Sequence, residues 1–284
     1  MRVNWENVEG VATSLKAFGL RSALLLEEKL DPQFSAINAL SSRIGKGYSA
    51  AYALAVSLIS YKLAMKGEDW WACFSSFFSE KGVPKGYEEL ISNVVDFVNS
   101  CKGSIIGRER KLKRVHLFFA NGKEIVLEVI KRPEIILESP SSLLKGVARS
   151  VNSSEWRKTV TFSIKMAYYA VKERGEMKPL YAEVPIPMDS RVSCITYTSA
   201  LVDSKGYKEI ISNPRPAIEA WKAVSARSGI PPVHLDTLLW TTGWAPRDLS
   251  PDVAKERVAE VLSRVSKREV AISVAKRLIK RPCK

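Results

Sequence analysis

The sequence predicts a mainly α protein: two helical lobes flanking a cleft and containing a helix-hairpin-helix element. Three observations carry this. Apolar residues recur at spacings of three and four through most of the chain, glycines close several of the resulting runs, and proline-bearing breaks at Pro133–Pro140 and Pro179–Pro187 set off a central helical unit. The expected organisation is one unit over residues 1–284, in which 1–130 and 215–284 form a terminal lobe and 131–214 a central lobe with the hairpin.

The elements follow in order. Asn7 to Phe18 places Val8, Val11, Ala12, Leu15 and Phe18 on one face, and Gly19 follows as a stop. Lys46 to Met65 reads as a long Ala- and Leu-rich helix ended by Gly67, and Tyr87 to Val98 repeats the pattern. Arg108 to Ala120 is basic on one side and apolar on the other. Asn121-Gly122 closes it, and the flanking VHLFFA and KEIVLEV also permit a β-hairpin there. Further helices are expected over Ser142 to Ser150, Trp156 to Lys172, Asp189 to Leu201, Arg215 to Ser228, Val233 to Trp240 and Pro251 to Leu278.

The composition narrows the function. In 284 residues, 46% are hydrophobic and 26% charged, ordinary globular values that exclude disorder, collagen and coiled coil. The longest apolar stretch, Ala50 to Ile59, is well short of the ~20 residues of a membrane span. The opening MRVNWENVEG is polar and acidic, so no secretory leader or membrane partner is expected, and a cytoplasmic, nucleoid-associated location fits. Forty-four Lys and Arg against 30 Asp and Glu give a net charge of +14, which favours a polyanionic partner, nucleic acid first.

Cys73, Cys101, Cys194 and Cys283 are scattered without a CxxC pair, and His116 and His234 are the only histidines. Structural zinc and iron–sulfur clusters need closely spaced thiolates, and so few histidines argue against hydrolytic metal sites and Ser-His-Asp triads; no metal and no cofactor are expected, and the thiols are expected to be reduced. Gln33 is the only glutamine, a depletion that fits a heat-adapted protein.

Four constellations could carry chemistry. On the helix after Trp156, Lys158, Phe162, Lys165 and Tyr169 fall opposite the stripe Val160, Ile164, Ala167, Tyr168 and Val171. Cations interleaved with aromatics suit the wall of a cleft for a flat anionic ligand, although the same residues could pack beneath a neighbouring helix. Ahead of that helix, Leu143 to Ser150, the turn Val151-Asn152-Ser153-Ser154 and the helix itself make a helix–turn–helix pair. Lys145, Arg149 and Arg157 supply positive charge for a DNA backbone. Asp189, after Pro185-Ile186-Pro187-Met188, sits where a helix begins and can both cap it and stabilise a developing cation. Asp236 and Trp240, four apart, share a helix face on which an indole could stack on a base; a core tryptophan beside a surface aspartate is the plainer alternative. His234 is read as capping or packing, and most of Trp70, Trp71, Trp156, Trp221 and Trp244 as core.

KTVTFSIKMAYYA (158–170), PIPMDSRV (185–192) and GIPPVHLDTLLW (229–240), in this order and spacing, resemble the archaeal 8-oxoguanine DNA glycosylase/lyase family, a divergent branch of the helix-hairpin-helix glycosylases. LDPQFSAI (30–37) and KGEDWWACF (66–74) add two N-terminal segments. The likeness covers about Gly19 to Trp240 and is poor over Arg108 to Ser139 and after Trp244. Leu180-Tyr181 stands where the resemblance expects Leu-Pro.

The resemblance implies a Schiff-base lysine at Lys158 and a catalytic aspartate at Asp189. It implies a base pocket of Gln33, Trp71, Phe162, Lys165, Asp236 and Trp240, with Phe162 and Trp240 as the aromatic pair holding the extruded base. The implied partner is DNA containing 8-oxoguanine, bound by a monomer without metal. An ordinary lysine is neutral only about once in 2,500 at pH 7. Desolvation and a second ammonium favour loss of its proton, and a carboxylate opposes it. Three alternatives stay open: the same scaffold acting on another damaged base, a non-catalytic DNA-binding or architectural protein, or an RNA-processing helical protein.

Overall fold

The computed structural model describes residues 1–181 and 184–283. In chain order its α-helices are α1 (Trp5–Leu30), α2 (Pro32–Ile44), α3 (Lys46–Ser57), α4 (Gly67–Lys81), α5 (Tyr87–Ser100), α6 (Arg108–Asn121), α7 (Lys123–Lys131), α8 (Ile135–Glu138) and α9 (Pro140–Ser150). They continue as α10 (Lys158–Val171), α11 (Ser190–Thr198), α12 (Tyr207–Ser212), α13 (Arg215–Ser228), α14 (Pro232–Thr242), α15 (Ala245–Asp248), α16 (Pro251–Ser263) and α17 (Arg268–Leu278). The only β pairing among the described residues is an isolated bridge, Val3 to Val202. No described helix is long and apolar enough to cross a membrane. The mainly α expectation, with its hairpin between α9 and α10, is met.

The chain divides into two compact units. One unit is Pro32–Leu180; the other joins Met1–Asp31 to Tyr181–Lys284. The reason is packing. Only α1 of the N-terminal part belongs with the C-terminal helices, lying on α13, α14 and α17, whereas α2 and α3 pack on α10. Residues 182 and 183, within the expected break Pro179–Pro187, lie outside the described residues.

In the discontinuous unit the core runs from Val8, Leu15 and Phe18 of α1 through Ile195, Trp221, Leu235 and Leu238 to Val274 and Leu278. Asn4 caps α1, its side chain accepting from the Asn7 amide at 3.0 Å. Gly19 does break the helical backbone, with φ at +79°, but the chain resumes as helix to Leu30 because Leu24 and Leu26 bury beyond the break. The run Pro251 to Leu278 is two helices that pack on each other, α16 and α17, joined by a turn at 264–267 that no glycine or proline announces.

In the continuous unit α10 lies at the centre, packed on α2, α3, α8 and α9. It is buried on every side from Val160 to Val171, so the face of Phe162, Lys165 and Tyr169 is covered as fully as the apolar stripe. The helix expected to reach Met65 stops at Ser57; the chain then turns, with Lys62 at φ +46° and the Ala64 amide donating to Gly103 O at 3.3 Å. The β-hairpin alternative at Asn121-Gly122 is excluded, because 123–131 is helical and buries Val126 and Val129.

The expectation of reduced thiols is corrected for one pair. Cys194 and Cys283 form a disulfide, with their Cα atoms 5.6 Å apart. The chain end is brought back over α11: Thr198 Oγ1 donates to Leu278 O at 2.8 Å and the Lys280 amide to Thr198 O at 2.9 Å. With the two cysteines 89 positions apart in the sequence, spacing could not reveal the pair.

Candidate active site

The hairpin sets where α10 begins. α9 ends at Ser150, Asn152 takes a left-handed conformation at φ +49°, and the Ser153 amide reaches back to Ala148 O at 2.9 Å. Arg157 N donates to Ser154 O at 3.0 Å, and the helix starts at Lys158. Lys145 and Arg149 are exposed one turn apart on α9, and with Ser153, Ser154, Glu155 and Trp156 they line a shallow concavity of about 520 Å³. Arg157 is exposed beside it, its guanidinium 4.8 Å over the Trp156 ring. The structure thus gathers the three expected cations at the hairpin.

Lys158 occupies the first turn of α10 and is half-buried. Amides of a first helical turn point their positive ends outward, so the position disfavours a further cation and suits an anionic group nearby. One turn on, Phe162 is buried and meets the Trp71 ring of α4 edge to face, centroids 5.9 Å apart. At the next turn Lys165 is 1% exposed, with Nζ 5.4 Å from the Tyr169 ring centroid; Tyr169 in turn meets Phe34 of α2 at 5.3 Å. Gln33, next to Phe34, is 2% exposed. The continuous unit therefore holds Lys158, Phe162, Lys165 and Tyr169 on one face of α10, with Trp71 against Phe162 and Gln33 on a helix packed against α10.

The other unit carries the remaining candidates. Asp189 caps α11, both cap bonds landing on Oδ1: from the Arg191 amide at 2.8 Å and the Val192 amide at 2.9 Å. Oδ2 takes no hydrogen bond among the described residues, which leaves one carboxylate oxygen for a substrate. On α14, Asp236 is 2% exposed, which excludes the surface-aspartate reading, and Trp240 one turn later is half-buried. Behind them His234 and Glu27 are buried together, Nδ1 to Oε1 at 2.7 Å, and Thr237 Oγ1 donates to the same oxygen at 3.2 Å. That polar cluster fixes the rotation of α14 on α1 and hence the direction in which Asp236 and Trp240 project.

Three participants were not singled out by the sequence. Arg191 lies with its guanidinium 4.2 Å over the Trp240 ring, and Gly243 permits this approach, since a Cβ there would stand 2.8 Å from Arg191 Cβ. Arg114 of α6 donates to Thr159 Oγ1 at 3.1 Å, beside Lys158, from a stretch read only as a basic helix. Glu27 lies 207 residues from His234, so only the fold pairs them. Of the tryptophans, Trp70, Trp71 and Trp221 are core as expected, whereas Trp156 is half-buried and Trp244 exposed. Among the described residues no three His, Cys, Asp or Glu side chains converge in a way that could hold a metal ion.

A basic helical hairpin thus ends in a half-buried amine, with aromatic rings and a buried second amine further along the same helix. Comparison with known proteins gives the family. The model of the AGOG family, described as N-glycosylase/DNA lyase, matches residues 12–277, and the chain belongs to that family. An N-glycosylase/DNA lyase of Aeropyrum pernix is 42% identical over 284 residues, 99% of this chain and 98% of that one. One from Thermococcus kodakarensis is 30% identical over 241 residues, 84% of this chain and 85% of the relative. The crystal structure of 8-oxoguanosine-complexed Pa-AGOG, the 8-oxoguanine DNA glycosylase from Pyrobaculum aerophilum, superposes with a TM-score of 0.76 at 28% identity, covering 96% of this chain and 97% of that one. The match is broader than Gly19 to Trp240, taking in Arg108 to Ser139 and most of the C-terminal helices. The protein is a DNA-repair enzyme of the bifunctional glycosylase/lyase type.

Proposed function

We propose that the protein excises 8-oxoguanine from DNA and nicks the resulting abasic strand through a Schiff base on Lys158. The observation that carries this reading is the place of Lys158: the first turn of a buried helix, at the exit of a basic hairpin, with Phe162 and Lys165 on the same face.

The duplex binds through its phosphates to Lys145, Arg149 and Arg157, and the damaged nucleotide leaves the stack because its C1′ is otherwise shielded. Phe162 and Trp240 offer ring faces to the extruded base. Trp71 backs Phe162, and Gln33, Lys165 and Asp236 are polar groups desolvated enough to discriminate base edges. Selecting 8-oxoguanine over guanine turns largely on the N7 hydrogen, which a buried acceptor must meet.

Neutral Lys158 Nζ attacks C1′, the bond from C1′ to the base nitrogen breaks, and the base leaves with the electron pair and takes up a proton. Asp189, positioned by its two cap bonds through Oδ1, turns its carboxylate charge to the cationic sugar as that bond breaks. Opening of the sugar ring gives the protonated imine. Loss of a C2′ proton then expels the 3′ phosphate by β-elimination.

The test is product analysis on duplexes carrying one 8-oxoguanine, one uracil or one alkylated purine. Free 8-oxoguanine together with a β-elimination nick supports the reading. Release of another base while 8-oxoguanine is ignored replaces the substrate, and tight binding without release leaves a non-catalytic binder.

A further inference from the structure

Outside this site, one pair of side chains in the continuous unit has no part in base excision. Cys73, half-buried on α4 two residues beyond Trp71, donates its S–H to the Cys101 sulfur at 2.9 Å; Cys101 is buried at the C-cap of α5. Lys111 of α6 is completely buried over the Tyr61 and Trp70 rings, donates to Gly103 O at 3.2 Å, and acts on the Cys101 sulfur through its charge. The two thiols have opposite leanings. Cys101 is pushed below the ordinary thiol range by the Cys73 hydrogen bond, and the Gly103 backbone and the Lys111 ammonium act in the same direction. Cys73 is pushed upward as the donor of that bond and by burial.

We propose that Cys73 and Cys101 are an oxidation site that closes to a second disulfide, so that each unit of the protein carries its own sulfur staple. Cys194–Cys283 supplies the staple of the discontinuous unit. The sulfurs of Cys73 and Cys101 are already closer than non-bonded contact, and the residues lie 28 positions apart, a loop whose closure restricts the unfolded chain. The oxidant class is a peroxide, small enough to pass the half-exposed Cys73. The Cys101 thiolate attacks one peroxide oxygen, the O–O bond breaks, and hydroxide leaves and is protonated to water. The Cys73 sulfur then attacks the sulfenic sulfur of Cys101; the S–S bond forms, the S–O bond breaks, and the departing hydroxide takes the Cys73 proton as a second water. Two thiols and one peroxide thus yield one disulfide and two waters. The Lys111 ammonium favours the thiolate that starts the sequence and is not consumed. Closure ties the helix that carries Trp71 to the end of α5.

The experiment uses the full-length protein and hydrogen peroxide as the probe. The chain is first held under a thiol reductant too weak to open Cys194–Cys283, as peptide mapping verifies, then treated, unfolded, alkylated without reductant and digested. The expected result is loss of both alkylatable thiols and a single cross-linked peptide containing Cys73 and Cys101, lighter than the two free peptides by two hydrogens. Cys73→Ser, a near-isosteric change at a half-exposed position, should halt the sequence at a Cys101 sulfenic acid that dimedone traps. Both thiols remaining alkylatable after peroxide overturns the proposal. So does over-oxidation of Cys101 without a cross-link, or a cross-link from either residue to Cys194 or Cys283.

Discussion

Arg191 joins Asp189 to Trp240: its amide donates to Asp189 Oδ1 at 2.8 Å, while its guanidinium lies 4.2 Å over the Trp240 ring. The residue proposed to steady the sugar cation and the residue proposed to stack on the base are therefore positioned by one side chain and one backbone amide. A guanidinium on one face of an indole leaves the other face for a ligand.

Asp189→Asn separates the two duties of Asp189. The amide oxygen of asparagine accepts the same bonds from the Arg191 and Val192 amides, so the cap persists and thermal unfolding shifts little. The carboxylate charge is gone, and base release should slow by roughly 10²–10⁴. Single-turnover kinetics alongside a melting curve checks this; an unchanged rate in a stable protein contradicts the assignment.

Phe162→Ala and Trp240→Ala should each weaken binding to a lesion-bearing duplex by roughly tenfold to a hundredfold, since base stacking contributes about 1–3 kcal/mol. Binding to undamaged duplex should hardly change, because phosphate contacts dominate it. Phe162 is buried against Trp71, so its truncation also costs about 3 kcal/mol of stability, whereas Trp240 is half-exposed and loses less. Equal losses on both duplexes would reject the stacking role.

Affinity for undamaged DNA should fall steeply with salt, as expected of a chain with net charge +14. Removing Lys145, Arg149 or Arg157 should lower the log–log slope by about 0.9 each. Titrations at several salt concentrations read this directly, and a variant with the slope of the wild type does not contact phosphate.

Above pH 10 the continuous unit should lose stability. Burial pushes the phenol of Tyr52, on α3, and that of Tyr87, at the start of α5, up to about 12. Both stay protonated in the fold at a pH where an unfolded tyrosine ionises, so the unfolded chain sheds more protons as pH rises. The stabilisation they contribute is complete below about pH 10 and is lost between there and about 12. The melting temperature should fall across that window, and an absorbance titration should show Tyr52 and Tyr87 ionising only as the protein unfolds. Titration of every tyrosine near pH 10 in folded protein would contradict the burial argument.

Much of this was legible in the chain. The spacing of Val160, Ile164, Ala167 and Val171 gives α10, and the opposite Lys158, Phe162, Lys165 and Tyr169 stand together as the periodicity requires. The prolines before Asp189 and its position as a cap are likewise local, and local signals survive folding. What was not legible depends on long separations. Glu27 finds His234 and Cys194 finds Cys283 through contacts that no spacing rule encodes. The split between α16 and α17 escaped because apolar periodicity continues through Val265, without glycine or proline to mark the turn. Arg191 escaped because an arginine two residues after a capping aspartate gives no sign of the ring it covers.

The central assignment is Lys158 as the nucleophile. Borohydride reduction of a mixture of protein and labelled duplex carrying one 8-oxoguanine converts a Schiff base into a stable covalent complex. The wild type should give a shifted covalent band, and Lys158→Gln should give none while still binding the lesion duplex. A covalent band retained in Lys158→Gln would contradict the account and move the nucleophile to another amine, Lys165 or Lys145 first.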